Sequence, residues 1–152
     1  MTRAPGPVIA VVAVAGLLVG GCVTPAPSAS AYEAKAGMTA DAAVSEVRTA
    51  LVATDAYLLG RMGAAYLETL LVEAEEALGS VHDTFDSVQP PAAPSADSLR
   101  DTLDPLLQDA SSALTELRIA ARRDRDDDLR TTADDLTGVA EELEAFGKQH
   151  AS

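Results

Sequence analysis

Apolar and polar positions alternate along the chain with helical spacing. From residue 39 onward, apolar residues recur at steps of three and four positions, which places them on one face of an α-helix. Four such segments follow one another, separated by glycines, prolines or charged residues. The predicted inward-facing positions are, segment by segment, Val44, Val47, Leu51, Thr54 and Leu58; Leu67, Leu71, Ala74, Leu78, Val81, Phe85 and Val88; Leu99, Leu103, Leu106, Ala110, Ala113, Leu117 and Ala120; and Leu129, Thr132, Leu136, Val139, Leu143 and Phe146.

Capping residues and helix breakers predict where these segments begin and end. Thr39 and Ser95 are suited to cap the first and third helices, because their hydroxyl oxygens can accept from free backbone N–H groups. Gly60 and Gly63 separate the first two segments, and a cluster of three prolines ends the second. Pro105 lies inside the third segment, where it is expected either to kink the helix or to end one helix and start another.

Four amphipathic segments joined by short connections favour antiparallel packing between sequence neighbours. We therefore predict an all-α domain over residues 39–152, folded as an antiparallel up-down four-helix bundle. A chain that stayed helical through Gly60 and Gly63 would form a three-helix bundle instead. Two glycines would cost such a continuous helix about 2 kcal/mol.

The net charge restricts the classes of partner. The chain has 24 acidic and 11 basic residues and a formal net charge of −13. A surface of this sign repels phosphate groups, so no nucleic acid partner is expected. The acidic clusters at 73–76 and 141–144 are most simply solvated helix faces, and the alternative is a docking stripe for a basic protein.

The first 22 residues follow a different pattern. Arg3 and the amino terminus precede an unbroken apolar run from Val8 to Val19, whose 12 residues suit a signal peptide better than a membrane span. The sequence Val19-Gly20-Gly21-Cys22 resembles the lipobox of bacterial lipoprotein precursors, in which an aliphatic residue and two small residues precede a cysteine. Gly20 departs from the Ala or Ser that the family prefers, but it keeps the small size.

This resemblance implies that residues 1–21 are a cleaved signal peptide and that Cys22, the only cysteine, carries a lipid. Two or three acyl chains would anchor the protein stably, so the membrane is a predicted partner through Cys22. Residues 22–38 are rich in Pro, Ala and Ser and are predicted to be a flexible tether. Nine Arg against two Lys favour a GC-rich genome, and with it anchoring at the outer face of the cytoplasmic membrane.

The predicted core offers no ligands for a cofactor. Its only polar residues before the last turn, where His150 would lie, are Thr54 and Thr132. A carboxylate-bridged metal centre in a bundle needs inward Glu and Glu-x-x-His, and covalent haem needs Cys-x-x-Cys-His. We expect no cofactor, no catalytic residues and no enzymatic activity.

The surface carries one candidate cation site. His82 and Asp86 lie four residues apart on one predicted helix face, and with Asp83 and Glu75 they could hold a cation, although exposed histidines beside acids are commonly just solvated. The acidic run at 124–128 has a simpler explanation, since it lacks the Gly and Glu of a calcium loop and would place acids at a helix N-terminus.

Two functions are compatible with these features. The first is a lipid-anchored, non-enzymatic interaction module that contacts another protein of the cell envelope. The second is a lipoprotein that binds a cation or small ligand, in the service of a transporter. Exposed leucines at positions flanking the helix seams would favour the first, and a concave acidic groove would favour the second.

Overall fold

The computed structural model of the protein describes residues 26–151, which form four α-helices. The helices are α1 (Ala29–Leu58), α2 (Ala64–Asp86), α3 (Pro94–Arg122) and α4 (Asp126–His150). Each packs against its sequence neighbours, and α4 packs against α1, which closes the ring. The predicted all-α four-helix bundle is confirmed. The three-helix alternative is wrong, because Gly60 adopts a left-handed φ of +68° and ends α1.

The two diagonal pairs of helices in the bundle are not equivalent. Helix α1 contacts α3 across the diagonal, whereas α2 and α4 do not contact each other within the described residues. The buried face of α1 explains this asymmetry. It consists largely of small residues, among them Ala36, Ala40, Ala43 and Ala50, all completely buried. Small side chains allow two helix backbones to approach closely, so α1 sinks into the centre of the bundle.

The first helix begins ten residues earlier than predicted. Ser28 is its N-cap and accepts a hydrogen bond from the Ala31 N–H at 3.1 Å. Thr39 lies within the helix, where its hydroxyl donates to the Lys35 carbonyl. The predictions of a Thr39 cap and of a flexible tether are therefore wrong for residues 29–38, and Tyr32 in this segment is completely buried.

The other helix boundaries are close to the predictions. Gly63 precedes α2 as its N-cap, and Asp126, Asp127 and Asp128 form the first turn of α4. Helix α3 begins at Pro94, one residue before the predicted cap at Ser95, and continues through Pro105 without ending there. The prediction that Pro105 restarts a helix is wrong.

The core consists almost entirely of apolar side chains, as the heptad pattern predicted. Thr54 is the one buried polar residue that the structure describes, and its hydroxyl donates to the Ala50 carbonyl. In α3 and α4 the buried stripe is displaced by one position from the predicted one at several turns. The buried residues there are Leu107, Leu114, Ala133 and Ala140, while Leu106, Ala113, Thr132 and Val139 are half-buried. The displacement arises because each helix faces two or three neighbours, so its buried face is wider than one heptad seam.

One end of the bundle, here called the proximal end, collects the N-termini of α1 and α3 and the C-termini of α2 and α4. Tyr32 of α1 lies there with its ring 5.6 Å from that of Phe85. Its hydroxyl accepts a hydrogen bond from Arg100 Nε at 3.0 Å. His150 Nδ1 lies 2.9 Å from Glu33 Oε1. These contacts fix the first turns of α1 to the other three helices.

Close packing of α1 on α4 at this end depends on glycine. A Cβ atom at Gly37 would lie 2.8 Å from the backbone carbonyl oxygen of His150, closer than real contacts allow.

No helix between residues 26 and 151 is both long and apolar enough to cross a membrane.

Candidate functional site

The predicted lipidation site lies outside the described residues. Cys22 and the lipobox residues Val19, Gly20 and Gly21 all precede Ala26, the first residue of the described chain. Ala26 is itself buried, and its N–H donates to the Gln89 carbonyl at 3.3 Å. Cys22 precedes Ala26 by four positions, and four extended residues span at most roughly 14 Å.

Large apolar side chains are exposed along α1 and at its junction with α2. Met38, Val52, Leu59 and Tyr66 are 72%, 69%, 64% and 60% exposed. Met38, Val52 and the C-cap residue Leu59 are spaced by 14 and 7 residues, so they lie along one side of α1 and its C-terminal cap. They are not part of the core that residues 26–151 form, and the packing of these residues does not explain their exposure.

Two shallow grooves lie beside these side chains, between α1 and α2. Groove A, of about 320 Å³, lies near the proximal end and is lined by Lys35, Met38, Thr39, Ala42, Ser80, Val81, Thr84, Phe85 and Val88. Groove B, of about 480 Å³, lies toward the other end and is lined by Ser45, Arg48, Thr49, Val52, Ala53, Ala56, Met62 and Leu70. Met38 and Val52 are 14 residues apart, about 21 Å along the helix axis.

The linings of both grooves contain no acidic residue. Each has a single basic residue, Lys35 in groove A and Arg48 in groove B. The surface formed by grooves A and B is here called the strip. The chain has more than twice as many acidic as basic residues, so the strip differs from the average surface in both charge and hydrophobicity. Such a surface can accept an apolar partner that carries neutral or acidic groups at its rim.

The predicted cation candidates His82 and Asp86 do lie together, and the fold adds Asp104 from α3. One ligand atom of each residue lies within 4.8 Å of the others. His82 Nε2 is 3.7 Å from Asp86 Oδ2. Asp83 is exposed and is not part of this cluster.

Asp104 has an unusual environment for a carboxylate. Its Oδ1 atom is buried and has no hydrogen-bond partner among the described residues. Burial and the nearby charge of Asp86 raise the pKa of Asp104, although the positive charge of Arg100 acts in the opposite direction. Sequence reasoning missed Asp104, because its partners are on another helix and only tertiary packing brings them together.

Glu75, which was grouped with the cation candidates, has a structural role instead. Its carboxylate accepts from Arg118 Nε at 2.6 Å and from the Thr115 hydroxyl at 2.8 Å, so it links α2 to α3. Burial alone would raise the pKa of Glu75, but these two hydrogen bonds outweigh burial and hold that pKa below its ordinary value. The prediction that Glu75 joins a cation site with His82 is wrong.

The acidic run between α3 and α4 lies at the opposite end from the proximal end. Arg125 Nη1 lies 2.6 Å from Asp128, and Arg130 Nη1 lies 3.1 Å from Asp127. The acids thus occupy the first turn of α4, where the helix dipole favours negative charge. Burial raises the pKa of Tyr57, in the last turn of α1, and the negative charges of Asp126 and Asp124 raise it further.

Comparisons of this chain with protein-family models, with curated proteins and with solved structures found no match.

Proposed function

We propose that the protein is a lipid-anchored, extracytoplasmic bundle of a bacterial cell envelope that acts by binding another envelope protein and not by catalysis. The observation that carries this proposal is the pair of apolar grooves A and B, whose linings contain no acidic residue, on an otherwise acidic bundle. The strip has the character of a protein-binding surface, because single exposed apolar residues are common but aligned ones with adjoining grooves are not.

The proposed partner element is an amphipathic helix. A helix that binds in a groove places apolar side chains at i, i+3, i+4 and i+7, and two grooves about 21 Å apart match roughly four turns of such a helix. Lys35 lies where it would favour an acidic group on the polar side of that helix, whereas Arg48 already pairs with Glu144 at 3.2 Å. The chain itself is strongly acidic, so this strip is where an acidic partner meets the least repulsion.

The membrane anchor proposed at Cys22 orients this strip. Because Ala26 is held against Gln89, the lipid would lie within roughly 14 Å of the proximal end, much closer than a flexible tether over residues 22–38 would place it. Groove A would then lie on the membrane side of the bundle and groove B farther from it. The proposed partner is therefore a membrane-associated protein whose helix extends away from the bilayer.

Two measurements on the full chain in its native membranes test the proposal. Labelled fatty acid should enter the wild type and should not enter Cys22→Ser. A photo-crosslinking residue at Met38 or Val52 should capture one and the same protein, whereas the matched exposed position Glu142 on α4 should not. Incorporation of label into Cys22→Ser would disprove the lipid anchor, and equal crosslinking from Glu142 would disprove the strip.

A second candidate function, cation binding, is favoured by the grouping of His82, Asp86 and Asp104. It uses a different surface and does not depend on the first proposal.

A further inference from the structure

A small group of metal-ligating side chains bridges α2 and α3 toward the proximal end. His82 and Asp86 are one turn apart on α2, and Asp104 faces them from α3. The group shares no residue with groove A or groove B. Each of the three side chains offers one ligand atom within 4.8 Å of the other two.

The protein itself leaves this group incompletely satisfied. Asp104 Oδ1 is buried and has no hydrogen-bond partner in the part of the chain that the structure describes, and an unsatisfied buried acceptor costs stability unless something else binds it. The neighbouring Arg100 is engaged elsewhere, because Nε donates to the Tyr32 hydroxyl and Nη2 donates to the Val88 carbonyl, both at 3.0 Å.

The local charge also favours a cation. Two carboxylates, Asp86 and Asp104, lie together, and Asp101 adds a third negative charge near Asp104. Arg100 compensates only one of these charges. A divalent ion between the side chains would bind the carboxylate oxygen that has no hydrogen-bond partner among the described residues, and it would neutralise the excess negative charge of the group.

We infer that His82, Asp86 and Asp104 form a binding site for a divalent transition-metal cation of the zinc class. Zinc binds imidazole nitrogen and carboxylate oxygen at about 2.0–2.2 Å, which places tetrahedral ligand atoms roughly 3.4 Å apart. The 3.7 Å between His82 Nε2 and Asp86 Oδ2 is close to this value, and the Asp104 ligand atom lies within 4.8 Å of both other ligand atoms. Calcium and magnesium are disfavoured, because both prefer sets of oxygen ligands only.

Three protein ligands leave at least one coordination position for water. Such a site is open at the surface, where His82 is half-buried and Asp86 exposed. It therefore exchanges its ion with the surroundings, which suits reversible cation binding better than a permanent structural role.

The test is thermal unfolding and calorimetric titration of the full chain, purified without a histidine tag and stripped with a chelator. Zinc chloride is the probe, and calcium and magnesium chlorides are the comparison ions. Zinc should bind with one-to-one stoichiometry, and at about 100 times its Kd it should raise the melting temperature by roughly 10 °C. Calcium and magnesium at the same concentration should raise it by less than about 2 °C.

Variants assign the effect to the three residues. His82→Gln and Asp104→Asn should each weaken zinc binding at least tenfold, while the exposed-acid control Asp83→Asn should leave it unchanged. Without metal, Asp104→Asn should melt at the same temperature as the wild type or higher, because the buried Oδ1 atom has no hydrogen-bond partner to lose among residues 26–151. If Asp104 had a purely structural role, Asp104→Asn would instead lower the melting temperature measured without metal.

His150 and Glu33 are the other described histidine–carboxylate contact, at 2.9 Å, and supply the decisive control. If zinc binding is lost in His150→Gln and retained in His82→Gln, the inference is wrong. It is also wrong if no zinc binds, or if Asp83→Asn abolishes binding as fully as Asp104→Asn does.

Discussion

Replacement of Tyr32 by alanine tests whether the first turns of α1 belong to the folded domain. In the structure, Tyr32 is completely buried and contacts the ring of Phe85 and the guanidinium of Arg100. Truncation of a buried aromatic side chain costs about 3–5 kcal/mol, and the better helix propensity of alanine returns about 0.5 kcal/mol. The expected net loss is therefore roughly 2.5–4.5 kcal/mol.

Such a loss is a large part of the 5–15 kcal/mol that typically stabilises a domain of this size. It should lower the melting temperature by about 10 °C or more, since 1 kcal/mol corresponds to roughly 3–6 °C here. Tyr32→Phe keeps the ring and removes only the acceptor for Arg100 Nε, so it should cost about 1 kcal/mol. Urea unfolding followed by circular dichroism at 222 nm measures both values.

Tyr66→Ala is the matched control, because Tyr66 is 60% exposed in the first turn of α2. It should change the free energy of unfolding by less than about 0.5 kcal/mol. If Tyr32→Ala were as mild as Tyr66→Ala, residues 29–38 would be a tether after all. The close approach of the lipid to the proximal end would then fail with them.

Three further predictions concern packing and charge. Gly37→Ala should destabilise the bundle by about 1–3 kcal/mol in urea unfolding, because the new methyl group meets the His150 backbone. Its control Gly79→Ala adds a methyl group in open space and should stabilise the bundle by about 0.5–1 kcal/mol. Equal effects of the two substitutions would refute the close approach of α1 and α4. Leu78→Ala and Leu117→Ala, both at fully buried positions, should each cost about 2–5 kcal/mol, and a change under 1 kcal/mol in either would contradict the observed core. Glu75→Gln should destabilise at neutral pH. Because the pKa of Glu75 is lowered on folding, its contribution is full above its ordinary value of 4.5 and is lost as the pH falls through the lowered pKa, so the wild-type and variant unfolding curves should converge in acid; a constant difference down to pH 2 would contradict this.

The start of α1 shows where local pattern stops being informative. Residues 29–38 contain Ala, Ser and Gly and no heptad of large apolar residues, so composition alone suggests a tether. Their helix is stabilised by contacts that lie far away in the chain, with Phe85, Arg100 and His150. A single tyrosine among small residues carried too little periodic signal to predict those contacts.

The candidate sites divide in the same way. His82 and Asp86 could be paired from the sequence, because residues four apart share one helix face. Asp104 and Glu75 could not be assigned, since the choice of which acid faces His82 and which faces Arg118 depends on the rotation and register of α3 against α2. The exposure of Met38 and Val52 likewise depends on which side of α1 sinks into the bundle.

The sequence by itself determined the number of helices, most of their boundaries and the apolar composition of the core. These properties follow from local rules, namely the 3.6-residue period, the φ freedom of Gly60 and the lack of a backbone donor in proline. Only the tertiary structure decided that α1 begins at Ala29, that α1 and α3 contact each other across the diagonal of the bundle, and that Asp104 joins His82 and Asp86. Those features depend on packing between residues that are 18 to 117 positions apart, where side-chain volume and helix rotation, and not local propensity, select the contacts.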